Sequence, residues 1–336
     1  MGSRTVFKVW LVRNGSYRGP SDGVGISRDF HGFPGFLQRL FGDMSKSAGL
    51  IELHTATFLM GLTGLFGKFL DVNPFVITGG RTLVGSLALL IAAKAVRAEL
   101  RVKSARDWWF FAVSGGLLAI HWLTFFQAIQ VSTVAIGLLA FSCFPLFVTF
   151  LEPVLFQERL RGIDILMAIV VVAGLVAVTP SFDAGNQMTQ GVLWGVASGF
   201  AYAILCLLSR LHVARRPAMT VTFYQQVFAA AFTAPSLWVF HAALNGRTVC
   251  LVVILGLVFT ALAQWLFIAS LRQIRAQTAS VVTCLEPVYG ILFAVVLLGE
   301  KPSARTLLGG LLIFGAVLGA TLAHVRRTRL NRPAID

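Results

Sequence analysis

About ten apolar stretches, joined by short polar connections, leave this chain few ways to fold. They run 53–70, 74–96, 108–129, 134–156, 162–180, 190–211, 219–241, 248–271, 276–299 and 304–325. Each approaches the roughly 20 residues that a helix needs to cross the hydrocarbon of a bilayer. With 57% of residues hydrophobic and 12% charged, a water-soluble fold could not cover this much apolar surface. No connection exceeds about a dozen residues, so there is no room for a separate catalytic domain. The expectation is an all-α integral membrane protein with ten transmembrane helices.

The basic residues say which way the helices run. The net charge is +14, which in a soluble protein would point to nucleic acid. Here the Lys and Arg residues sit between apolar stretches, where the bias of positive charge towards the cytoplasm accounts for them, and no nucleic-acid partner is expected. With both termini on one side, that side collects 23 of the 28 Lys and Arg, while Arg247, Lys301 and Arg305 fall on the other and Lys68 and Arg81 within spans. Both termini are therefore expected in the cytoplasm of a bacterial-type inner membrane.

Residues 1–50 differ in composition, mixing Gly, Ser, Arg and Asp, and are expected to form a disordered basic tail. The run Val6 to Val12 is short, broken by Lys8 and without a cleavage site, so it is not a signal peptide. Val6 stands where a myristoylation motif starting at Gly2 wants Ser or Thr. Phe36, Leu37, Leu40 and Phe41 offer a turn or two of interfacial helix as the alternative. A start at Met44 would leave a compact membrane core. Residues 326–336 form a second basic cytoplasmic tail. The four cysteines lie in or at the ends of apolar stretches without metal-ligand spacing, and read as small buried hydrophobes.

Two distant sites carry the same punctuation. Phe144-Pro145 is followed by Glu158, and Glu286-Pro287 by Glu300, with equal spacing from Pro to Glu in both. The offset that carries Pro145 onto Pro287 also lays Phe125 over Phe267, and Ala128-Ile129 over Ser270-Leu271. The chain therefore divides into a first repeat over 51–180 and a second over 190–325. Five helices per repeat start the second copy on the opposite side, which makes the halves inverted. Inverted halves are a structural route to alternating access.

The strings Ser132-Thr133-Val134-Ala135, Phe144-Pro145 and Glu158-Arg159-Leu160 in the first half are answered by Ala279 through Pro287 and Leu298-Gly299-Glu300 in the second. Together with Arg81 in the second span, this pattern resembles the EamA-type branch of the drug/metabolite transporter superfamily, over about residues 50–325. The resemblance implies ten helices in two homologous halves, a central cavity lined by the first four helices of each, and gradient-driven carriage of amino acids or related metabolites, often as export. It also implies a homodimer contact on the last helix in some members. The small multidrug branch needs an acidic residue within its first helix; here Glu52 precedes that span and nothing acidic follows within it.

Polar residues inside the spans are the site candidates, because charges near the bilayer centre are expensive and usually mark a pathway or a pair. Glu286 lies close to the middle of its span, where a carboxyl suits proton coupling or bonds a helix broken by Pro287. Its counterpart is Phe144, so the acid is not part of the repeat. Glu152 echoes it out of register and is expected to snorkel or to pair with Arg159 or Arg161. Arg81, some 10 Å into the bilayer by helical rise, needs a partner: Glu286, Glu152 or a substrate carboxylate. His121 could relay protons or sit neutral against a neighbouring helix. Trp122, Tyr202, Gln226 and Trp265 are candidates to line a cavity. Phe126, Phe200 and Tyr224 are further aromatics of this kind, though each alone fits ordinary lipid-facing packing. Pro145 and Pro287 break helices at matching depth and free backbone carbonyls there. Lys68 is expected to snorkel. Gly191, Gly195 and Gly199, and Gly315 and Gly319, have the spacing of close helix contacts.

A membrane enzyme would need a nucleophile or a metal cluster, but the six histidines are scattered and HExxH is absent. No catalytic group, metal or cofactor is expected. The expected function is a secondary carrier of small metabolites, proton-linked and exporting, with a small-molecule substrate and the lipid bilayer as partners. An uncoupled facilitator, or an exporter of drug-like compounds, is the alternative.

Overall fold

A computed structural model describes residues 33–102, 104–156, 162–179, 181, 183–240, 245–274 and 276–330. The chain divides into two compact units, residues 1–43 and 44–336. All regular structure among the described residues is helical. In chain order the elements are α1 (Phe33–Phe69), α2 (Pro74–Ala95), α3 (Ala105–Val131), α4 (Val134–Phe141), α5 (Phe144–Phe156), α6 (Gly162–Val178) and α7 (Gln187–Val213). These are followed by α8 (Ala218–Thr233), α9 (Ser236–Val239), α10 (Gly246–Gly256), a π-helical turn (Leu257–Leu262), α11 (Ala263–Ser270), α12 (Ala276–Thr283), α13 (Glu286–Leu298) and α14 (Ala304–Leu330).

The expectation of a disordered tail as far as residue 50 is corrected from Phe33 onward, because α1 begins there. Phe36, Leu37, Leu40 and Phe41 have helical apolar spacing and lead without a Pro or a Gly pair into the first apolar stretch. Residues 1–32 lie outside the described part. At the other end α14 continues to Leu330, into the basic tail expected from residue 326.

Among the described residues, six helical runs are long and apolar enough to cross a bilayer: Ala48–Phe69, Pro74–Ala95, Ala105–Val131, Val134–Leu155, Gln187–Val213 and Gly246–Ser270. Ile165–Val178, Glu286–Leu298 and Ala304–Ala316 are shorter apolar helices. The stretch 219–241 is divided at Pro235, leaving α8 with 16 residues and the single turn α9 behind it.

Side chains set the helix starts. Asn73 accepts from the Phe75 backbone N–H at 2.9 Å, with Pro74 opening α2 where its missing N–H goes unnoticed. Asn186 and Asn245 do the same for α7 and α10, accepting from Met188 at 2.9 Å and Thr248 at 2.8 Å. Gly299 ends α13 at φ 66°, a left-handed conformation that a side chain would strain.

The repeat reappears in the helix breaks. α4 and α12 are of one length, and so are α5 and α13. Val134 and Phe144 open the first pair, Ala276 and Glu286 the second, each start displaced by the step from Pro145 to Pro287. Those two prolines are the second residues of α5 and α13. They open the second segment of a broken helix, where a proline is tolerated, and do not kink a continuous one.

Small residues bring the elements together. A side chain at Gly61 would lie 2.8 Å from the Glu286 carbonyl, and one at Gly290 2.7 Å from the Gly61 carbonyl, so α1 and α13 meet almost backbone to backbone. Gly191, Gly195 and Gly199 of α7 lie against Ser132, Ala140 and Phe141, which uses their spacing inside the molecule. α14 packs along α6, Gly309 against Gly174 and Gly319 against Met167, while Gly315 faces open space.

Glu300 has a definite task. Its carboxylate accepts from the backbone N–H of Val134 at 2.9 Å and of Ala135 at 3.4 Å, closing the N-terminus of a helix in the other repeat. Beside it the exposed Lys68 donates to the Ser132 carbonyl at 2.8 Å, so this lysine ties two helices where snorkelling was expected. Glu300→Ala should lower stability by about 0.5–2 kcal/mol, the usual loss for a helix-capping group. A thermal melt of the purified protein in detergent reads this, with Lys301→Ala as the neutral control. Glu158, its counterpart, lies outside the described residues.

Candidate functional site

Arg81, His121, Tyr202 and Glu286 come from four different helices, α2, α3, α7 and α13, and face one cavity of about 20 Å³. That is room for about one water molecule. Trp122, Phe125, Phe141 and Phe259 supply ring walls, and Met60, Thr63 and Gln264 complete the lining. Of these only Phe259 is more than marginally exposed. Arg81 is 1% exposed and Glu286 6%, so both side chains are buried.

Arg81 is held on two of its three nitrogens. Nε donates to Thr260 Oγ1 at 2.7 Å and Nη2 to the Phe259 carbonyl at 3.2 Å. The guanidinium lies 4.0 Å from the centre of the Trp122 ring and 5.3 Å from that of Phe126, where the ring faces attract a cation. Nη1 has no hydrogen-bond partner among the described residues. Nor have Tyr202 Oη and Glu286 Oε2. Buried polar atoms are nearly always satisfied, so three orphans around one cavity call for an explanation, a water, an ion or a ligand among them. Glu286, one of the three partners considered for Arg81, shares the cavity with it, and no salt bridge joins the two among the described contacts.

His121 is anchored from behind. The Ser198 hydroxyl donates to the His121 carbonyl at 3.0 Å, and His121 Nδ1 lies 2.8 Å from the same hydroxyl oxygen. With that hydroxyl hydrogen already committed, Nδ1 carries the proton and donates, which turns the Nε2 lone pair away from Ser198. The ring packs against Tyr202 and Phe141, with centroids 4.6 and 5.2 Å away.

Five of the expected residues thus converge: Arg81, His121, Trp122, Tyr202 and Glu286. Gln226 and Trp265 are placed elsewhere. Gln226 is fully buried under Gly85 with both amide atoms unpartnered among the described residues, and Trp265 is half-buried at the edge of the core. Phe200 is 46% exposed and packs on Phe147, as a lipid-facing ring would. Glu152 pairs with Arg210 of α7; Arg159 and Arg161 lie outside the described residues. Met60, Thr63, Phe141, Phe259, Gln264 and Thr260 were not anticipated. The repeat would have found two of them: its offset carries Met60 onto Tyr202 and Trp122 onto Gln264, and all four line the cavity. The cavity therefore sits where equivalent positions of the two repeats face each other, while Arg81, His121 and Glu286 have Phe223, Ala263 and Phe144 as counterparts.

Comparison with known proteins agrees with this division. An uncharacterised transporter of Bacillus subtilis, YwfM, is 25% identical over 272 residues, covering 78% of this chain and 91% of that protein. The uncharacterised inner membrane transporter YicL of Salmonella typhimurium is 27% identical over 306 residues, 85% of this chain and 99% of that protein. An uncharacterised transporter of Archaeoglobus fulgidus is 27% identical over 273 residues, 80% of this chain and 95% of that protein. A solved crystal structure superposes with a TM-score of 0.64 at 23% identity over 83% of this chain and 98% of its own, a likeness of fold. The EamA-like transporter family matches twice, over residues 47–179 and 189–322. Two consecutive copies of that domain, carried on apolar helices of membrane-spanning length, place the chain in the EamA-like transporter family as a multi-pass membrane protein.

Proposed function

We propose that this protein is a secondary carrier that exports small zwitterionic or anionic metabolites, amino acids first among them, in exchange for protons. One observation carries the reading. Three unpartnered buried polar atoms, Arg81 Nη1, Tyr202 Oη and Glu286 Oε2, meet on one cavity between the two domain copies of a transporter family. Arg81 offers a hydrogen-bond donor to a carboxylate, and Glu286 offers an acceptor to an ammonium group or to a proton. The aromatic walls provide the apolar remainder.

A cavity of about 20 Å³ is too small for an amino acid, so loading requires the helices to part. The broken pairs α4/α5 and α12/α13 are where such motion costs least, since the backbone ladder is already interrupted at 142–143 and 284–285. Ten crossings in two inverted halves, with both termini cytoplasmic in a plasma membrane, are supported by the two family matches and by 23 of 28 Lys and Arg falling on one side. Counterflow in liposomes tests the reading: vesicles preloaded with unlabelled amino acid should accumulate the labelled form only when they contain the protein. A panel of L-phenylalanine, L-leucine, L-threonine and L-glutamate, without accumulation of any, would count against amino acids.

A further inference from the structure

The expected eighth span is interrupted by the π-helical turn Leu257–Leu262. Such turns insert one residue into a helix and are frequent at functional sites. The equivalent segment in the first repeat, Gly115–Ile120, is regular helix within α3, so the turn is not a property of the repeat. It coincides with Arg81. Both acceptors that hold the guanidinium, Thr260 Oγ1 and the Phe259 carbonyl, belong to this turn.

Thr260 is polarised for the task. Its hydroxyl donates to the Leu255 carbonyl at 2.8 Å, five residues back, which leaves the oxygen lone pairs for Arg81 Nε. Two glycines let the helices approach closely enough. A side chain at Gly85 would reach 3.2 Å from the Thr260 methyl, and one at Gly256 would meet Val84 at 2.5 Å. The guanidinium is therefore fixed by Nε and Nη2 and packed on Trp122, with Nη1 left unpartnered among the described residues.

We propose that Thr260 is a positioning residue: it holds Arg81 by Nε so that Nη1 is presented to the substrate's carboxylate. This rests on the reading of the cavity as the substrate site. Positioning and plain packing differ in what they need from the side chain. Valine keeps the methyl and puts a second one in place of the hydroxyl; serine keeps the hydroxyl and loses the methyl. Positioning tolerates serine and fails with valine, and packing does the reverse.

The test reads Arg81 directly. The purified full chain in detergent is treated with phenylglyoxal, which modifies accessible guanidinium groups, and the adduct at Arg81 is quantified by peptide mass spectrometry. The wild type and Thr260→Ser should stay protected, and Thr260→Val should show several-fold more adduct at Arg81. In liposomes with L-phenylalanine as probe, Thr260→Val should raise KM by about tenfold or more, the scale of a hydrogen bond to a charged group, with kcat nearly unchanged and serine restoring KM. Protection of Arg81 in the valine variant, or equal labelling in valine and serine variants, would overturn the proposal. If L-phenylalanine is not carried, the labelling alone decides. Arg81→Met tests the underlying reading separately: wild-type flux in that variant sinks the substrate site, whatever the labelling says about Thr260.

Discussion

Glu286→Gln should abolish proton-linked flux and leave the protein folded. Glutamine keeps the shape and the hydrogen-bonding reach of the side chain but cannot gain or lose a proton at working pH. The fold has little reason to object, because Glu286 Oε2 bonds to nothing among the described residues and the close α1–α13 approach uses backbone at Gly61, Gly290 and the Glu286 carbonyl. A buried carboxyl whose Oε2 has no hydrogen-bond partner among the described residues, and that faces a cavity beside a guanidinium, suits a coupling role. The expected result is substrate movement that no longer carries protons and no longer follows the pH gradient. Thermal melting should stay close to wild type. Uncoupled counterflow of the substrate should survive in weakened form, since the site keeps its Arg81 and its rings.

Arg81→Met should have the opposite profile, losing substrate recognition itself. Methionine fills much of the space of the arginine stem, but offers nothing to the Thr260 hydroxyl, the Phe259 carbonyl or a substrate anion. Truncating one member of a buried, hydrogen-bonded charge contact costs about 2–5 kcal/mol, on the order of 30- to 5,000-fold in affinity. Counterflow of any carboxylate substrate should fall by that scale. Arg81→Lys should rescue only in part, because the three donors of an ammonium radiate from one compact nitrogen and lack the planar spread with which the guanidinium reaches two acceptors in the π-helical turn and the cavity at once. A lysine variant closer to methionine than to the wild type is expected for this two-point hold; full rescue by lysine would mean that charge alone matters there.

The duplication was plain in the amino-acid sequence because its markers are backbone breakers. Pro145 and Pro287 determine where α5 and α13 begin, and the offset between them holds to the residue in the helix starts and lengths. Arg81, His121, Trp122, Tyr202 and Glu286 were recognisable because a charge, an imidazole or a polar ring in an apolar stretch needs a protein interior, and these five meet on one cavity. Gln226 and Trp265 obeyed the same rule of type and missed on direction. An amide or an indole can be buried between two helices as readily as in a cavity, and helical phase over a uniformly apolar stretch does not say which neighbour lies opposite.

Thr260 and the π-helical turn had no local signal. Leu251 through Leu262 is an apolar run broken only by Gly256 and Thr260, and the residue that bonds to the turn, Arg81, lies 179 positions earlier than Thr260. A tertiary contact of this kind is not reported by any window of sequence. The start of α1 at Phe33 was missed for a different reason. The Gly- and Ser-rich composition at the beginning of the chain was extended too far, past a point where the apolar spacing had already become helical.

The most direct test of the central claim, that the cavity between the two domain copies is where substrate and proton are exchanged, is proton flux in liposomes that hold the purified protein and a trapped pH dye. The amino-acid panel is added one compound at a time to vesicles with the wild type and with Glu286→Gln. A substrate-dependent pH change in the wild type that vanishes in the variant, while labelled counterflow persists, is the predicted result. A pH change that survives Glu286→Gln with unaltered pH dependence would contradict it and move the coupling group elsewhere.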